Sequence, residues 1–372
     1  MRQIDPIREQ FLSIPLLDRA LFDKRSAAPE AIYKDGSVSH SGMTQSLYPL
    51  TFDPIYQYRL WGGRRLVNWL KTPLPADGPI GEAWLLSDRS DHPSRVADGP
   101  FKGWTVAQLM TRSRIDILGK LENRFERFPL LLKFLDVHQM LSVQVHPPDE
   151  RIDLIPPGNT GKTEAWVVLE AEPGSRIYAG LKPGTTAAHL RALTGRTVDD
   201  HLASFTPTPR NSILINAGVV HALGNGAVVF EVQENSDVTF RLYDWDHIDP
   251  KTGHTRPLQI EQALACIDFK QGEIKPVATI TDMPHPVARQ RLIDCAHFQL
   301  WRVQASAPFS VGAIDEPRVL VCLEGAGGIE SNGAEFPLEK GCVVLLPAVL
   351  GLCTFRPHTP TILLEIGVAR SS

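Results

Sequence analysis

The sequence predicts a mainly β protein, either a β-sandwich or a jelly-roll barrel with helices inserted in its connections. Short apolar segments of strand length, broken by Pro and Gly, occupy residues 128–169 and again residues 212–243. The chain has 30 Pro and 28 Gly among 372 residues, which is typical of turn-rich β proteins rather than helical bundles. It contains no G-x-G-x-x-G or P-loop pattern, so a nucleotide-binding α/β fold lacks support.

The composition excludes several classes of function. The formal net charge is −4, from 38 Lys and Arg against 42 Asp and Glu, so the basic excess typical of nucleic-acid-binding proteins is missing. Every apolar stretch is shorter than the roughly 18 residues of a membrane span, and charges interrupt the amino terminus where a signal peptide needs an apolar run. Five irregularly spaced Cys are no disulfide framework. We therefore expect a cytoplasmic protein without a nucleic-acid or membrane partner.

The order of patterns along the chain predicts three segments. Residues 1–46 form an N-terminal arm, flexible or docked at the periphery, in which residues 12–22 have the pattern of one amphipathic helix. Residues 47–270 form the main domain. Between its strands, the apolar periodicity predicts helices at residues 105–121 and 185–202.

Residues 271–372 again have the pattern of short strands separated by turns. Within them, residues 318–348 predict a strand, a hairpin and a further strand. The segment Val344-Leu-Leu-Pro-Ala echoes Leu214-Ile-Asn-Ala-Gly of the main domain, but no equivalent of His221 follows it. We expect a second, C-terminal barrel without a site.

Three separate segments carry side chains suited to a divalent metal ion. Gln144 and His146 lie on one face of a predicted strand because side chains alternate. Glu164 stands at the mouth of the next apolar strand, and His221 follows a strand and a turn. Two histidines and a carboxylate from three strands form a mononuclear site with open positions, and Gln144 offers a neutral fourth ligand. The alternative is that Glu164 pairs only with Lys162 and that the histidines are ordinary turn residues.

Two further segments place polar groups among apolar ones. Lys133 is embedded in an apolar strand, so its ammonium needs a partner or an anionic ligand unless its stem reaches the surface. Residues 228–243 predict a hairpin with one apolar face and one polar face that carries Glu231, Gln233 and Arg241. An exposed antiparallel sheet gives the same alternation, but polar faces on several neighbouring strands are also expected to line a cavity.

Together and in this order, these segments resemble the type I phosphomannose isomerases, particularly their shorter bacterial form. The matching stretches are residues 58–63 (YRLWGG), 81–84 (GEAW), 128–136 (FPLLLKFLD), 141–147 (LSVQVHP), 161–166 (GKTEAW), 218–224 (GVVHALG) and 230–246 (FEVQENSDVTFRLYDWD). The resemblance covers about residues 48–270. The tail resembles the family only in texture, and the first 46 residues do not resemble it.

The resemblance implies cupin-type jelly-roll barrels with helical insertions and a metal site in the first barrel. It further implies a zinc enzyme that interconverts mannose 6-phosphate and fructose 6-phosphate through an enediol, with one Zn²⁺ per chain. By motif, the metal ligands are His146, Glu164 and His221, with Gln144 as a fourth. Arg241 matches the arginine regarded as catalytic. A small sugar phosphate is then the partner, and the sequence leaves open whether the chain is a monomer or a homo-oligomer.

The remaining roles are assigned from the chemistry of that reaction. A proton must leave a carbon beside a carbonyl and return to the neighbouring carbon, and Lys162 and Glu231 are the candidate carriers. Ser142, Lys133 and Lys162 are candidates to bind the phosphate.

Three other functions compete with this interpretation. A cupin oxygenase normally carries an H-x-H pair, and here Gln144 replaces the first histidine. A sugar-phosphate-binding regulator on the same fold would not need the metal ligands. The third alternative is an isomerase of another phosphosugar.

Overall fold

The computed structural model describes residues 46–277 and 285–369. The fold is mainly β, as the sequence predicts. Almost all of the predicted N-terminal arm, including the expected helix at residues 12–22, lies outside the described residues. Within them, no helix has the length and apolar character needed to cross a membrane.

The main part of the chain forms two sheets that pack face to face. The first sheet has six strands in the order β2 (Ile55–Gly63), β3 (Ile80–Leu86), β4 (Leu130–Val137), β11 (Ala227–Glu234), β6 (Glu164–Ala171) and β9 (Ser212–Ile215). The second sheet has five strands in the order β12 (Phe240–Tyr243), β5 (Val143–Val145), β10 (His221–Gly224), β7 (Arg176–Leu181) and β8 (Leu202–Phe205). Apolar side chains of both sheets, such as Val229 and Leu223, form one buried cluster between them.

Two further sheets contain the C-terminal strands. One has the order β1 (Leu50–Thr51), β19 (Val343–Leu346), β16 (Arg318–Glu324), β21 (Thr361–Val368), β14 (Phe298–Ala305) and β13 (Val287–Asp294). The other has the order β15 (Phe309–Gly312), β20 (Leu352–Pro357), β17 (Ala326–Ser331) and β18 (Ala334–Glu339). The predicted strand, hairpin and strand are β16, the pair β17–β18, and β19. The hairpin turns at Asn332 and Gly333, both with positive φ (50° and 76°), which is the backbone of the tight turns that favour Asn-Gly.

Both predicted helical regions contain helices, but one is interrupted. Helix α1 (Val106–Leu118) begins at Thr105, whose side chain forms a capping box with Gln108. Residues 185–202 instead form two short helices, α2 (Ala187–Arg191) and α3 (Val198–His201). Gly195, a poor helix former, lies in the turn between them. A fourth helix, α4 (Ile260–Cys266), packs beside β12 and was not predicted.

The hairpin predicted at residues 228–243 is wrong. Strand β11 pairs with β4 and β6 in the first sheet, whereas β12 pairs with β5 in the second. The alternation was read correctly, since Val228, Phe230 and Val232 all join the core on the outer side of the first sheet. The connecting residues 235–239 cross from one sheet to the other, so each strand pairs with segments distant in sequence.

Candidate metal centre and active-site cavity

The candidate metal ligands come from both sheets and meet between them. His146 directly follows β5, and His221 is the first residue of β10. His221 lies opposite Gln144 in the register of the second sheet. Glu164 is the first residue of β6 in the first sheet. Gly218, with a φ of 84° that favours glycine, forms the turn before His221, and its N–H donates to the carbonyl of His146 (2.8 Å).

Both imidazoles face Glu164 with their Nε2 atoms. Nε2 of His146 lies 3.4 Å from Oε2 of Glu164, and Nε2 of His221 lies 3.4 Å from Oε1. The other ring nitrogens donate to backbone carbonyls: Nδ1 of His146 to Val238 (2.8 Å) and Nδ1 of His221 to Val219 (2.9 Å). A carbonyl acceptor at Nδ1 fixes the tautomer in which Nε2 carries the lone pair, as metal-ligating histidines require.

These distances fit a metal ion. Two ligand atoms bound tetrahedrally at 2.0–2.1 Å lie about 3.4 Å apart, which matches both nitrogen–oxygen separations. All three side chains are buried, and one ligand atom from each lies within 4.8 Å of the others. Among the described residues, Oε1 of Glu164 has no hydrogen-bond partner, and Oε2 has the ammonium of Lys162 at 2.8 Å. A buried carboxylate oxygen without a partner is costly, and a metal cation would satisfy it.

Burial sets the charge state of the group. It lowers the pKa of His146 to about 3, helped by the positive charge of Lys162, and it also lowers the pKa of His221. Both imidazoles are therefore neutral near neutral pH. Burial alone would raise the pKa of Glu164, but Lys162 and then His146 reverse this and hold it well below its usual value. Two neutral imidazoles and one carboxylate are a donor set that suits a divalent metal such as zinc.

Lys162, two residues before Glu164 in the sequence, also contacts the metal-capable group. Its Nζ lies 2.8 Å from Oε2 of Glu164 and 3.2 Å from Nε2 of His146. Burial alone would lower its pKa, but Glu164 and Glu231 outweigh burial and raise it above the usual value. The predicted pairing of Lys162 with Glu164 is therefore present together with the metal-capable group, and the two are not alternatives.

Gln144 and Ser142 lie beside the group. Nε2 of Gln144 is 3.2 Å from Nε2 of His221, and Oε1 of Gln144 accepts from the hydroxyl of Ser142 (3.1 Å). Turning the amide by 180° exchanges these two atoms and brings the oxygen to the histidine side. Ser142 is buried, and its hydroxyl contacts Gln144. Gln144 lines the neighbouring cavity, whereas Ser142 does not.

A cavity of ≈ 280 Å³ lies next to the metal-capable group, because Gln144 and Lys162, which contact the group, form part of its wall. Its described lining is strongly charged. The charged lining residues are Arg59, Lys133, Lys162, Arg241 and Arg256, with Glu82, Glu231, Asp237 and Asp249. A polar cavity with one excess positive charge suits a small anionic ligand.

Lys133 is buried in this wall and held by carboxylates. Its Nζ lies 3.3 Å from Glu231, 3.6 Å from Glu82 and 3.7 Å from Asp237. It also lies 4.9 Å from the centre of the Trp84 ring. Of the two possibilities raised for this lysine, the structure shows the partnered ammonium. The pairing follows from the strand order, because β4 lies between β3 and β11 and places Lys133 opposite both Trp84 and Glu231.

Sequence reasoning missed Arg59 and Glu82 as cavity residues. Nε of Arg59 donates to Oε1 of Glu82 (2.9 Å), and the indole N–H of Trp84 donates to Oε2 (2.6 Å). Burial alone would raise the pKa of Glu82, but Arg59 and Lys133 hold it well below its usual value. Both residues lie within the YRLWGG and GEAW stretches, which served only to carry the family resemblance.

Arg241 differs from the other cations of the cavity. Arg59, Lys133, Lys162 and Arg256 each have a carboxylate partner. Nε of Arg241 is buried without a hydrogen-bond partner among the described residues. Burial and the nearby charge of Arg256 lower the pKa of Arg241. Arg241 lies opposite Gln144 in the second sheet, so its guanidinium and the metal-capable group share one side of that sheet.

The paired sheets and the His-Glu-His group between them define a cupin-type metal-site protein. A model of the phosphomannose isomerase type I catalytic domain matches residues 50–158. Mannose-6-phosphate isomerase ManA of Bacillus subtilis is 34% identical over 308 residues, which are 82% of this chain and 94% of that protein. The chain therefore belongs to the type I phosphomannose isomerase family.

Solved structures agree with this assignment. The crystal structure of the mannose 6-phosphate isomerase from Bacillus subtilis superposes with a TM-score of 0.76 at 26% identity, covering 86% of this chain and 99% of that one. A zinc-bound mannose 6-phosphate isomerase has a TM-score of 0.69 at 17% identity, with 87% and 100% covered. At that identity the second likeness shows the fold alone.

Replacing His221 by Ala should abolish tight metal binding without unfolding the protein. The change removes one imidazole of the donor set, and the loss should exceed the 10–100-fold typical of residues that only support a ligand. The measurement is Zn²⁺ per chain after dialysis against a weak chelator, with circular dichroism to follow the fold. His358→Ala is the matched control, because His358 only pairs with Glu335 at the surface. Unchanged zinc content in His221→Ala would contradict the ligand set.

Proposed function

We propose that this chain is a metal-dependent aldose–ketose isomerase that interconverts mannose 6-phosphate and fructose 6-phosphate. The observation that carries the proposal is the His146–Glu164–His221 group, in contact with Gln144 and Lys162 of the charged cavity wall, in a chain of this family. Relatives that carry this activity in their names match more than four fifths of the chain. The proposed substrate is a small anion, which agrees with the excess of positive charge in the lining.

The proposed metal is Zn²⁺, one per chain, held by His146, Glu164 and His221 with Gln144 as a fourth ligand. A structural relative in this fold has zinc bound, and neutral imidazoles with a carboxylate suit that ion. When bound, a divalent cation supplies Lewis-acid stabilisation of negative charge on the sugar oxygens. Ligation by Gln144 requires its amide oxygen to face His221, where the nitrogen now lies.

Proton transfer is proposed to involve Glu231 and Lys162. The reaction removes the proton from C2 of the open-chain aldose and gives an enediol, and return of a proton to C1 gives the ketose. Glu231 is a candidate base because burial raises its pKa above the usual value, against the opposing charge of Lys133. The indole of Trp166 donates to Oε2 of Glu231 (2.9 Å) and orients the carboxylate. Lys162, which also lines the cavity, is the second candidate carrier.

Arg241 is proposed to bind the developing oxyanion or the phosphate. Its buried Nε has no hydrogen-bond partner among the described residues, and an unpaired buried donor is costly. An anionic substrate oxygen offsets that cost, and the planar guanidinium matches it geometrically. Lys133 also faces the cavity, but Glu231, Glu82 and Asp237 already surround its ammonium. Ser142, whose hydroxyl is engaged by Gln144, is better suited to orient that amide than to bind phosphate.

The wider assignments are proposals of the same kind. We assign residues 47–270 to the catalytic domain, residues 271–372 to a second barrel without its own site, and residues 1–46 to an arm. All five cysteines are free, which fits a reducing compartment such as the cytoplasm.

The direct test is a coupled assay that follows conversion of mannose 6-phosphate to fructose 6-phosphate. Activity should disappear on removal of the metal by a chelator and return on addition of Zn²⁺, because the proposed chemistry needs the cation. A chain that binds one zinc but converts no mannose 6-phosphate would contradict the proposal. It would favour the isomerase of another phosphosugar or, if no phosphosugar turns over, the sugar-phosphate-binding regulator.

Glu231→Gln should lower kcat by about 10²–10⁴-fold, the usual contribution of a general base, with a smaller change in KM. The amide keeps the size of the side chain but cannot take up a proton. Glu335→Gln, at an exposed position, is the matched control and should behave as the wild type. A near-normal kcat in Glu231→Gln would exclude Glu231 as the carrier and leave Lys162, to be tested as Lys162→Met.

A further inference from the structure

The turn formed by residues 160–163, here called the delivery turn, brings Lys162 and Glu164 into the site. The backbone N–H and the backbone carbonyl of its last residue, Thr163, both bind Glu234. Oε1 of Glu234 accepts from the backbone N–H of Thr163 (2.7 Å). The backbone N–H of Glu234 donates to the carbonyl of Thr163 (3.2 Å). Glu234 is buried at the end of β11. It therefore fixes the backbone of Thr163, the residue between Lys162 and Glu164 in the sequence.

A second carboxylate holds the beginning of the delivery turn. Oδ1 of Asp149 accepts from the backbone N–H of Gly161 (2.7 Å). The contact is close, because a Cβ on Gly161 would lie 2.6 Å from the backbone nitrogen of Asp149. The delivery turn therefore packs closely against the loop that follows His146.

His297, which lies between β13 and β14 in the C-terminal part, completes this arrangement. Its Nδ1 is 3.2 Å from Oε2 of Glu234, the oxygen that does not bind Thr163. Asp149 lies in the same cluster, with one ligand atom from each of the three residues within 4.8 Å of the others. The hydrogen bond to Glu234 raises the pKa of His297 against the opposing effect of burial, and the charges of Glu234, Asp149 and Glu150 raise it further. His297 therefore has the character of a cationic partner for Glu234.

We propose that Glu234 and His297 are positioning residues for the metal centre, acting through Thr163 on the placement of Glu164 and Lys162. The C-terminal part then contributes to the site although it carries no ligand. A charge-assisted pair restricts the carboxylate of Glu234 to the orientation that binds Thr163. Groups that orient metal ligands commonly change metal affinity and activity when removed. The effect on turnover rests on the proposed isomerase function, whereas the effect on metal affinity does not.

The three side chains of the cluster also satisfy the distance requirement for a second metal ion. We favour the ion pair because one oxygen of each carboxylate is already bound to a backbone N–H. The nitrogen of His297 also faces the remaining oxygen of Glu234 directly.

The test uses the full-length protein and the variants Glu234→Ala, Glu234→Gln, His297→Ala and His297→Asn. His358→Ala, which removes a surface His–Glu pair in the same part of the chain, is the control. Three quantities are measured. The first is Zn²⁺ affinity of the metal-free protein in competition with a chelator. The second is kcat and KM for mannose 6-phosphate. The third is hydrogen exchange of the peptide that covers the delivery turn.

Glu234→Ala should weaken Zn²⁺ binding by about 10–100-fold, lower kcat more than it raises KM, and speed exchange in the delivery turn. His297→Ala should act in the same direction with a smaller effect. Glu234→Gln keeps an acceptor for Thr163 and should retain more zinc affinity than Glu234→Ala. His297→Asn places an amide N–H near the position of Nδ1 and should recover part of the loss. His358→Ala should match the wild type.

The proposal is overturned if Glu234→Ala and His297→Ala change only the melting temperature and leave zinc affinity and local exchange unchanged. If Glu234→Ala does not fold, His297→Ala decides the matter by the same two measurements. A second zinc per wild-type chain that is lost in His297→Ala would also overturn the proposal, because the cluster would then be a metal site. If the wild type does not convert mannose 6-phosphate, the proposed function fails, but zinc affinity and exchange still test the positioning role.

Discussion

The site depends on one buried carboxylate. Glu164 lies on the first sheet and faces two neutral imidazoles and one ammonium, with both of its oxygens at 3.4 Å from a histidine nitrogen. A buried anion is stable only when other groups compensate its charge. Lys162 compensates it in part, and the geometry of the two histidines suits a cation. Glu164 and His221 are the first residues of β6 and β10, so the group lies at the ends of strands from the two sheets.

A network of ion pairs also lines the wall of the cavity next to Glu164. Lys133 shares its charge among Glu82, Glu231 and Asp237, and Arg59 pairs with Glu82. Such a network fixes side-chain positions, because each member would be costly to bury alone. Arg241 stands apart, since its Nε has no hydrogen-bond partner among the described residues. A cavity wall whose side chains are fixed, and in which the Nε of Arg241 remains available as a donor, is suited to bind a substrate whose negative charge grows during the reaction.

The faces of the strands and the set of metal-capable residues could be predicted from sequence, whereas the pairing of the strands could not. Strand alternation placed Gln144 and His146 on one face, and the structure brings His146, Glu164 and His221 together. The hairpin at residues 228–243 failed because alternation identifies faces, not pairing partners, and β11 and β12 belong to different sheets. The partners of Lys133 follow from strand order, which the sequence does not display. His297 was missed because it lies in a segment without any motif and reaches the site only through Glu234.

The central claim is that His146, Glu164 and His221 bind one metal ion between the two sheets. X-ray absorption spectroscopy of the zinc-loaded protein tests it most directly. The account predicts two imidazole nitrogens at about 2.0–2.1 Å and carboxylate oxygen at about 2.0–2.2 Å, with only nitrogen and oxygen in the first shell. A sulfur scatterer at about 2.3 Å, or the absence of imidazole multiple scattering, would contradict it, since the metal would then be bound elsewhere.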